Sequence, residues 1–329
     1  MSLDKVLEAL SSGLAAEAVI TPMSKQKTAV GKSSMLYGID YKSFEKISSE
    51  FIEAGGNGIV FTGTTGESST LSDEEQLNVI KTGTELIKSS FPNAVAIAGT
   101  GSNDTDHAVY LSKEAEKLGA DALLIVSPYY NKPSQEGYMH MIMEIAGNTN
   151  VPLILYEIPG RAVFHIEAQT LRKLKDSCPE SIIALKDAGG NTKKSAEYYE
   201  TCPDVTLLSG DDARTYEIMD QFNGKGVISV VSHIAPTETI NLVRMYMAGE
   251  KEKAKQIQEL MAPLIEAMFC YGNPASVKTA MALQGRISPV ARSPILTAQQ
   301  ANKGDIVEKI TAALDKYKTE IAPNIRKIC

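Results

Sequence analysis

Several features that would assign a function at once are missing from this chain of 329 residues. Its four cysteines form no C-x-x-C pair, which favours reduced thiols in a cytosolic setting over a disulfide framework. No run of 18 apolar residues occurs, so no membrane span is predicted. Residues 1–13 lack the apolar core of a signal peptide, and a cytoplasmic location is expected.

Positive charge is also scarce, with 33 Lys and Arg against 40 Asp and Glu and a net charge of −7. This balance argues against a nucleic-acid surface and against attraction to anionic lipid. No Ser-His-Asp arrangement can be argued from spacing. The histidines lack the paired spacing of a metal site, so we expect no metal and no cofactor. They are His107, His140, His165 and His233.

Short apolar, β-rich runs alternate with amphipathic segments of helical length. One of these segments, residues 71–90, begins with Ser72 and carries Glu75 three residues on, the pattern of a capping box. Eight such β/α units predict a (β/α)8 TIM barrel, an α/β fold. A doubly wound open sheet is the alternative, but no dinucleotide fingerprint is present. The predicted strands are 16–22, 58–64, 94–100, 122–128, 152–158, 182–188, 205–211 and 226–232.

The rest of the chain is divided around this barrel, which is expected to span residues 16–249. Residues 1–15 are interpreted as an N-terminal extension outside the fold. Residues 250–329 have helical periodicity and predict a C-terminal helical region, with a solvated tail from about residue 318. No role is assigned to an insertion at residues 25–38.

One lysine interrupts a run that otherwise reads as a buried strand, "IIALKDAGG" (182–190). Strand alternation places Ile182, Ala184 and Lys186 on one face. Burial lowers the pKa of a lysine from about 10.4 and produces a free amine that attacks carbonyl carbon. The alternative is a lysine paired with a carboxylate such as Asp187 or Asp211.

Other polar groups fall at the carboxyl ends of the predicted strands, where a barrel carries its chemistry. "GTTGES" (63–68) lacks the Gly-Lys-Ser/Thr of a P-loop, so it is either an anion-binding nest or a tight turn. Arg161 can grip a carboxylate or form a surface ion pair. Tyr129, Tyr130 and Tyr156 either shuttle protons beside Thr64 or serve in packing.

Together these residues predict an amine-nucleophile barrel that acts on a keto acid without a cofactor. At the same residues the chain resembles the dihydrodipicolinate synthase family of the pyruvate-dependent class I aldolases. The resemblance spans residues 16–296. Its motifs are "VITPM" (19–23), "GTTGESSTL" (63–71), "AGTGSN" (98–103), "PYYNKPSQEG" (128–137), "YEIPGR" (156–161), "LKDAGGN" (185–191), "LLSGDD" (207–212), "GVISV" (226–230) and "NPASVK" (273–278).

This resemblance implies a role for each residue on the pyruvate side of the site. Lys186 would form the Schiff base with pyruvate. The backbone N–H groups of Thr64 and Thr65 would hold the pyruvate carboxylate. The Ile228 carbonyl would line the pocket, and Gly210 would be a further substrate-binding residue.

The resemblance also implies the second substrate and the assembly. Tyr156, Thr64 and Tyr130 would form a proton relay, with Tyr130 reaching in from a neighbouring subunit of a homotetramer built as a dimer of dimers. Arg161 would bind the carboxylate of L-aspartate-4-semialdehyde. The implied product is 4-hydroxy-tetrahydrodipicolinate, an intermediate of lysine and diaminopimelate biosynthesis.

The chain departs from the family pattern on the side assigned to the second substrate. Glu157 stands where asparagine is usual, Ala162 where threonine is common, and His233 where asparagine is frequent. A sister aldolase that uses a sugar-acid aldehyde, or an N-acetylneuraminate lyase, is therefore the alternative. A non-catalytic keto-acid-binding barrel is a more remote one, since the lysine, tyrosines and threonines are all present.

A regulatory site for lysine is only partly matched. Asp73 and Gln76 replace frequent histidines of regulated members, and His107 replaces a usual glutamate. Weak or absent inhibition by lysine is therefore expected. The residues that do match this possible allosteric site are Ser68, Ser69, Asn103 and Tyr129.

Overall fold

The computed structural model of the chain describes residues 2–25 and 37–329, so most of the insertion at 25–38 lies outside the described residues. Eight parallel strands close into a barrel in the order β1-β10-β9-β8-β7-β6-β5-β4, which confirms the predicted fold. They are β1 (Leu14–Ala18), β4 (Gly58–Phe61), β5 (Val95–Gly99), β6 (Ala122–Val126), β7 (Leu153–Glu157), β8 (Ile182–Asp187), β9 (Thr206–Ser209) and β10 (Gly226–Ser229). An antiparallel pair, β2 (Met23–Lys25) and β3 (Tyr37–Ile39), follows β1.

Helices surround the barrel and extend beyond it at the C-terminus. None of the described helices is long and apolar enough to cross a membrane. Those that precede or accompany the strands are α1 (Ser2–Ser12), α2 (Tyr41–Glu53), α3 (Asp73–Ser90), α4 (Thr105–Leu118), α5 (Gln135–Asn148), α6 (Pro159–Ala162), α7 (Ala168–Ser177), α8 (Thr192–Thr201), α9 (Thr215–Phe222) and α10 (Pro236–Met247). The C-terminal region holds α11 (Lys251–Phe269), α12 (Ala275–Leu283), α13 (Gly304–Lys316) and α14 (Ala322–Ile328).

The predicted start of α3 is present, and α4 ends at a glycine. The Ser72 side chain accepts from the Glu75 backbone N–H at 3.2 Å, and the Glu75 carboxylate accepts from the Ser72 N–H at 3.0 Å. This reciprocal capping box starts α3. Gly119 ends α4 at φ +88°, a left-handed conformation that glycine adopts without steric cost.

The alternation predicted for β8 is wrong at its first residues. Leu153 of β7 pairs with Ile182, whereas Ile154 pairs with Ala184, so the register shifts by one residue. This irregularity places Ile183 beside Ala184 in the barrel interior and Ile182 among the outer apolar residues. Lys186 still points inward, because the alternation is regular after the shift.

Both termini contribute to the core, which corrects two expectations. Residues 1–15 are not outside the fold, since α1 packs Val6, Ala9 and Leu10 against the barrel interior. The tail is not a solvated end. Ile321 and Ile325 are buried around the link from α13 to α14. Period and composition predict a helix but do not reveal which neighbour covers it.

Candidate active site

Lys186 lies at the carboxyl end of β8, directly opposite Tyr156 of β7 in the strand pairing. Its Nζ stands 4.1 Å from the centroid of the Tyr156 ring. Both residues are only 5% exposed. The strand ends therefore place an amine and a phenol side by side within the barrel mouth.

Burial decides the protonation of Lys186. Loss of solvent lowers the pKa of its ammonium group to about 7, with the negative charge of Asp212 opposing this effect and the positive charge of Arg161 adding to it. About half of the side chains are then free amine near neutral pH. A free amine is the form that attacks a ketone.

The carboxylates that could have paired with Lys186 are engaged elsewhere. Asp187 accepts hydrogen bonds from the Ser195 hydroxyl and, at 2.8 Å, from the Gly189 N–H. Asp211 accepts from the Ala213 N–H at 3.0 Å. Within the described part of the chain no carboxylate forms an ion pair with Lys186. The geometry thus favours the nucleophile over the alternative of a structural ion pair.

The turn "GTTGES" follows β4 and faces the same mouth. Thr65 is buried and lines the cavity beside Lys186. Among the described residues, the backbone N–H groups of Thr64 and Thr65 donate no hydrogen bond to the protein. Backbone N–H groups of a turn that lack a protein partner are suited to an anion such as a carboxylate.

Tyr156 and the Thr64 side chain are neighbours, the pair that the resemblance assigns to a proton relay. Burial raises the pKa of Tyr156 to about 12, while the Arg161 charge and the Thr64 side chain act in the opposite direction. The phenol is therefore protonated at neutral pH. It can donate a proton and recover it through Thr64.

Gly210 and Ile228 complete the wall around the lysine. A Cβ atom on Gly210 would lie 2.8 Å from the Ala188 Cβ and 3.0 Å from the Lys186 Cε and Cγ. Any larger residue at this position would push the lysine stem aside. Ile228 is buried in the barrel interior on β10.

Arg161, on the short helix α6, lines the cavity opposite the lysine. Its guanidinium donates to the Asn273 carbonyl at 2.8 Å, and the Asn273 side-chain amide donates to the Thr65 hydroxyl at 3.0 Å. Asn273 thus connects the two groups assigned to carboxylate binding. The sequence reasoning missed it as a site residue and noted it only within "NPASVK".

The cavity that holds these residues has a volume of about 890 Å³. One wall comes from the C-terminal helical region, which the sequence reasoning had treated only as an appendage. Glu259, Glu266 and Phe269 of α11 and Lys309 of α13 line that wall. No motif indicated it, because helical periodicity does not reveal which face a helix turns toward a site.

Tyr130 is not brought into this cavity. It is 88% exposed and has a left-handed backbone, with φ of +76°. Tyr129, Ser68 and Ser69 line a second cavity of about 290 Å³ on the other side of Tyr156. Asn103 is not among its lining residues.

Two of the departures from the family pattern do not line the cavity that holds Lys186, which corrects the expectation for them. The Glu157 side chain points away from the barrel interior and is buried between the barrel and its surroundings. Its carboxylate oxygens lie 2.8 Å from the His165 Nδ1 and 3.0 Å from the Ile166 backbone nitrogen. His233 accepts from the Ile20 N–H at 3.1 Å, and burial lowers its pKa to about 3. Ala162 lines the smaller cavity.

Within residues 2–25 and 37–329, no three His, Cys, Asp or Glu side chains converge as metal ligands. The arrangement contains instead a buried amine, a neutral phenol, backbone N–H groups without a described protein partner and a guanidinium. These groups suit imine chemistry on a small carboxylated ketone.

Comparisons with known proteins agree with this geometry. The model of the dihydrodipicolinate synthetase family matches residues 14–313. A 4-hydroxy-tetrahydrodipicolinate synthase of Thermodesulfovibrio yellowstonii is 41% identical over 297 residues, 90% of this chain and 96% of the relative. The solved structure of the 4-hydroxy-tetrahydrodipicolinate synthase from Methylacidiphilum fumariolicum SolV is 34% identical with a TM-score of 0.87, covering 96% and 99% of the two chains. The dihydrodipicolinate synthase from Aquifex aeolicus is 31% identical with a TM-score of 0.85, covering 94% and 99%. The chain therefore belongs to the dihydrodipicolinate synthetase family.

Proposed function

We propose that this chain is a Schiff-base-forming lyase that condenses pyruvate with L-aspartate-4-semialdehyde to 4-hydroxy-tetrahydrodipicolinate. The observation that carries this proposal is the buried amine of Lys186 against Tyr156, with no ion-pair partner among the described residues, in a cavity that Thr65 also lines. Family membership supports the same reaction.

The first half of the reaction makes a carbon nucleophile. The Lys186 Nζ attacks C2 of pyruvate, and loss of water gives an imine. The N–H groups of Thr64 and Thr65 hold the carboxylate during this step. The protonated imine withdraws electrons, so loss of a proton from C3 gives an enamine. Tyr156 and Thr64 carry the protons.

The second half forms the ring and frees the enzyme. C3 of the enamine attacks the aldehyde carbon, and Tyr156 protonates the resulting alkoxide. The amino group of the second substrate then attacks C2, the bond from C2 to the Lys186 Nζ breaks, and cyclic product leaves. Arg161 holds the carboxylate of the aldehyde substrate by charge-assisted hydrogen bonds.

The relay requires Tyr130, and its position supports an origin in a second subunit. In one chain Tyr130 is 88% exposed, so its phenol is available to a neighbour. We place Tyr130 of each subunit in the relay of its partner, within a homotetramer built as a dimer of dimers. A cytoplasmic location belongs to the same proposal.

We propose that lysine inhibits this protein weakly or not at all through the second cavity. Ser68, Ser69 and Tyr129 line it, but the His107 ring is already engaged with Asp73 at 3.0 Å and with Ser102 at 3.2 Å. None of the described residues that line this cavity is a carboxylate that could hold the ammonium group of lysine. Strong inhibition by micromolar lysine in a titration of turnover would contradict this assignment.

Turnover with pyruvate and a panel of aldehydes tests the proposed reaction. The panel sets aspartate-4-semialdehyde beside sugar-acid aldehydes and N-acetylmannosamine, with Lys186→Ala as the blank. Preference for aspartate-4-semialdehyde that is lost in the blank is the expected result. Turnover only with another aldehyde would move the protein to a sister activity and would contradict the assigned role of Arg161.

A further inference from the structure

The turn that carries Thr64 and Thr65 has an unfavourable backbone. Thr62 and Glu67 flank it at φ +51° and +57°, in the left-handed region that residues with a Cβ rarely adopt. A threonine and a glutamate hold this conformation only when the surrounding structure imposes it. The conformation matters, because this turn carries the two N–H groups that are assigned to the pyruvate carboxylate.

Glu67 is fixed at both of its carboxylate oxygens. Oε1 forms an ion pair with the Lys278 ammonium, and Oε2 accepts from the Arg292 backbone N–H at 3.0 Å. The side chains of Glu67 and Lys278 are both 0% exposed. Lys278 also donates to the Val290 carbonyl at 3.3 Å.

These partners all come from the C-terminal helical region. Lys278 lies on α12, and Val290 and Arg292 follow that helix. The Arg292 guanidinium continues outward to the Glu75 carboxylate at 2.6 Å, at the start of α3. A single buried network therefore joins the turn of the barrel to α12.

A fully buried ion pair contributes little net stability. The free-energy cost of removing two charges from water can exceed the gain from their attraction, and a well-packed apolar pair is often equally stable. The pair is a better means of fixing one geometry, because each charge accepts only a narrow set of partner positions.

We infer that Glu67 and Lys278 are positioning residues for pyruvate: their buried ion pair holds the Thr64–Thr65 turn in the conformation that receives the carboxylate. Neither side chain touches the substrate. The inference rests on the proposed function, since it concerns the pyruvate half of that reaction.

The test separates positioning from stability with Lys278→Met, Glu67→Gln and the double variant. Lys278→Met leaves a buried carboxylate unpaired, so a large drop in melting temperature is expected. The double variant removes both charges, so its melting temperature should return much of the way to the wild-type value. The discriminating readout is the pyruvate concentration that half-saturates trapping by cyanoborohydride, which requires no second substrate.

We expect the half-saturating pyruvate concentration to rise about tenfold or more in the double variant, although its melting temperature recovers. KM for aspartate-4-semialdehyde should stay within about twofold. Lys5→Met is the matched control. It removes the ion pair between Lys5 and Asp121, 2.7 Å apart at the opposite end of the barrel, and should lower stability without changing pyruvate saturation.

A double variant with wild-type pyruvate saturation would overturn the inference and reduce the pair to a packing element. Failure of the wild-type protein to be trapped by pyruvate at all would instead contradict the proposed function, and the inference with it. The two outcomes can be told apart by the wild-type protein. Pyruvate traps it normally in the first outcome and does not trap it in the second.

Discussion

Lys186 and Tyr156 face each other across the β7–β8 pairing, with the amine 4.1 Å from the ring centroid and neither residue more than 5% exposed. The ring shields the amine from water without offering it a negative charge. Burial can then lower the pKa of the amine, and the hydroxyl remains free to pair with Thr64. One pairing in the sheet therefore positions both the proposed nucleophile and the proposed proton donor.

The pH dependence of imine formation follows from the lowered pKa of Lys186. Only the free amine attacks, so the rate of pyruvate-dependent trapping should rise with pH and level off above about pH 7. The measurement is the trapping rate at saturating pyruvate across neutral pH. A rate that still climbs at the ordinary lysine pKa of 10.5 would show that burial does not act in this way.

Tyr156→Phe should uncouple binding from proton transfer. The ring that shields Lys186 remains, but the hydroxyl beside Thr64 is lost. We expect kcat to fall by roughly 10²- to 10⁴-fold, the usual contribution of a positioned acid or base. Pyruvate saturation should change little.

Tyr198→Phe is the matched control for this substitution, since its hydroxyl is buried on the Ile166 carbonyl at 2.6 Å and lies outside the cavity. It should lower stability and leave kcat nearly unchanged. Equal losses of kcat in the two variants would argue against a relay through Tyr156.

Arg161→Met should act mainly on the second substrate. Loss of charge-assisted hydrogen bonds to a carboxylate predicts a rise in KM for aspartate-4-semialdehyde of roughly 10- to 100-fold. Because the Arg161 charge also lowers the pKa of Lys186, the midpoint of the trapping profile should move to higher pH.

Arg172→Met supplies the comparison for a lost arginine, since Arg172 pairs with Asp176 and Asp204 on the outer surface. Its KM values should match those of the wild type. If Arg161→Met raised KM for pyruvate and not for the aldehyde, the assignment of Arg161 would be wrong.

Glu17 predicts a pH-dependent stability unrelated to catalysis. It is buried on β1, with Oε2 accepting from the Ser232 hydroxyl at 3.1 Å and no hydrogen-bond partner for Oε1 among the described residues. Burial raises its pKa from 4.5 to about 8, so between these values the folded protein keeps a proton that the unfolded chain releases. The free energy of unfolding therefore falls as pH rises across this window.

Glu17→Gln removes that proton linkage. Its melting temperature relative to wild type should increase steadily between pH 4.5 and 8, because each pKa unit corresponds to about 1.4 kcal/mol. Glu85→Gln, at an exposed site on α3, serves as the control. A difference between Glu17→Gln and wild type that does not vary with pH would contradict a raised pKa for Glu17.

The sequence was most informative where local pattern and buried environment coincide. Each barrel strand lies in a mostly apolar run, so all eight were located, and polar residues at the strand ends identified Lys186, Thr65, Tyr156 and Arg161 as neighbours. Asn273 could not be recognised in this way. Its contacts with Thr65 and Arg161 depend on how the C-terminal region folds back, and no local pattern encodes that distance.

The irregular features could not be predicted from the sequence for the same reason. The register shift at Ile183 arises from pairing with β7, so a strict alternation assigns Ile182 to the wrong face. The tail has only isolated apolar residues, Ile321 and Ile325, and their burial depends on a surface supplied by other helices. The proposed role of Tyr130 depends on a second copy of the chain, which the sequence of one chain does not describe.

The central claim is that Lys186 forms an imine with pyruvate. Incubating the protein with pyruvate and cyanoborohydride, followed by peptide mass analysis, tests it without any assumption about the aldehyde. We expect one covalent pyruvate adduct per chain, located on Lys186, and none on Lys186→Ala. An adduct on another lysine, or no adduct while turnover persists, would contradict the account.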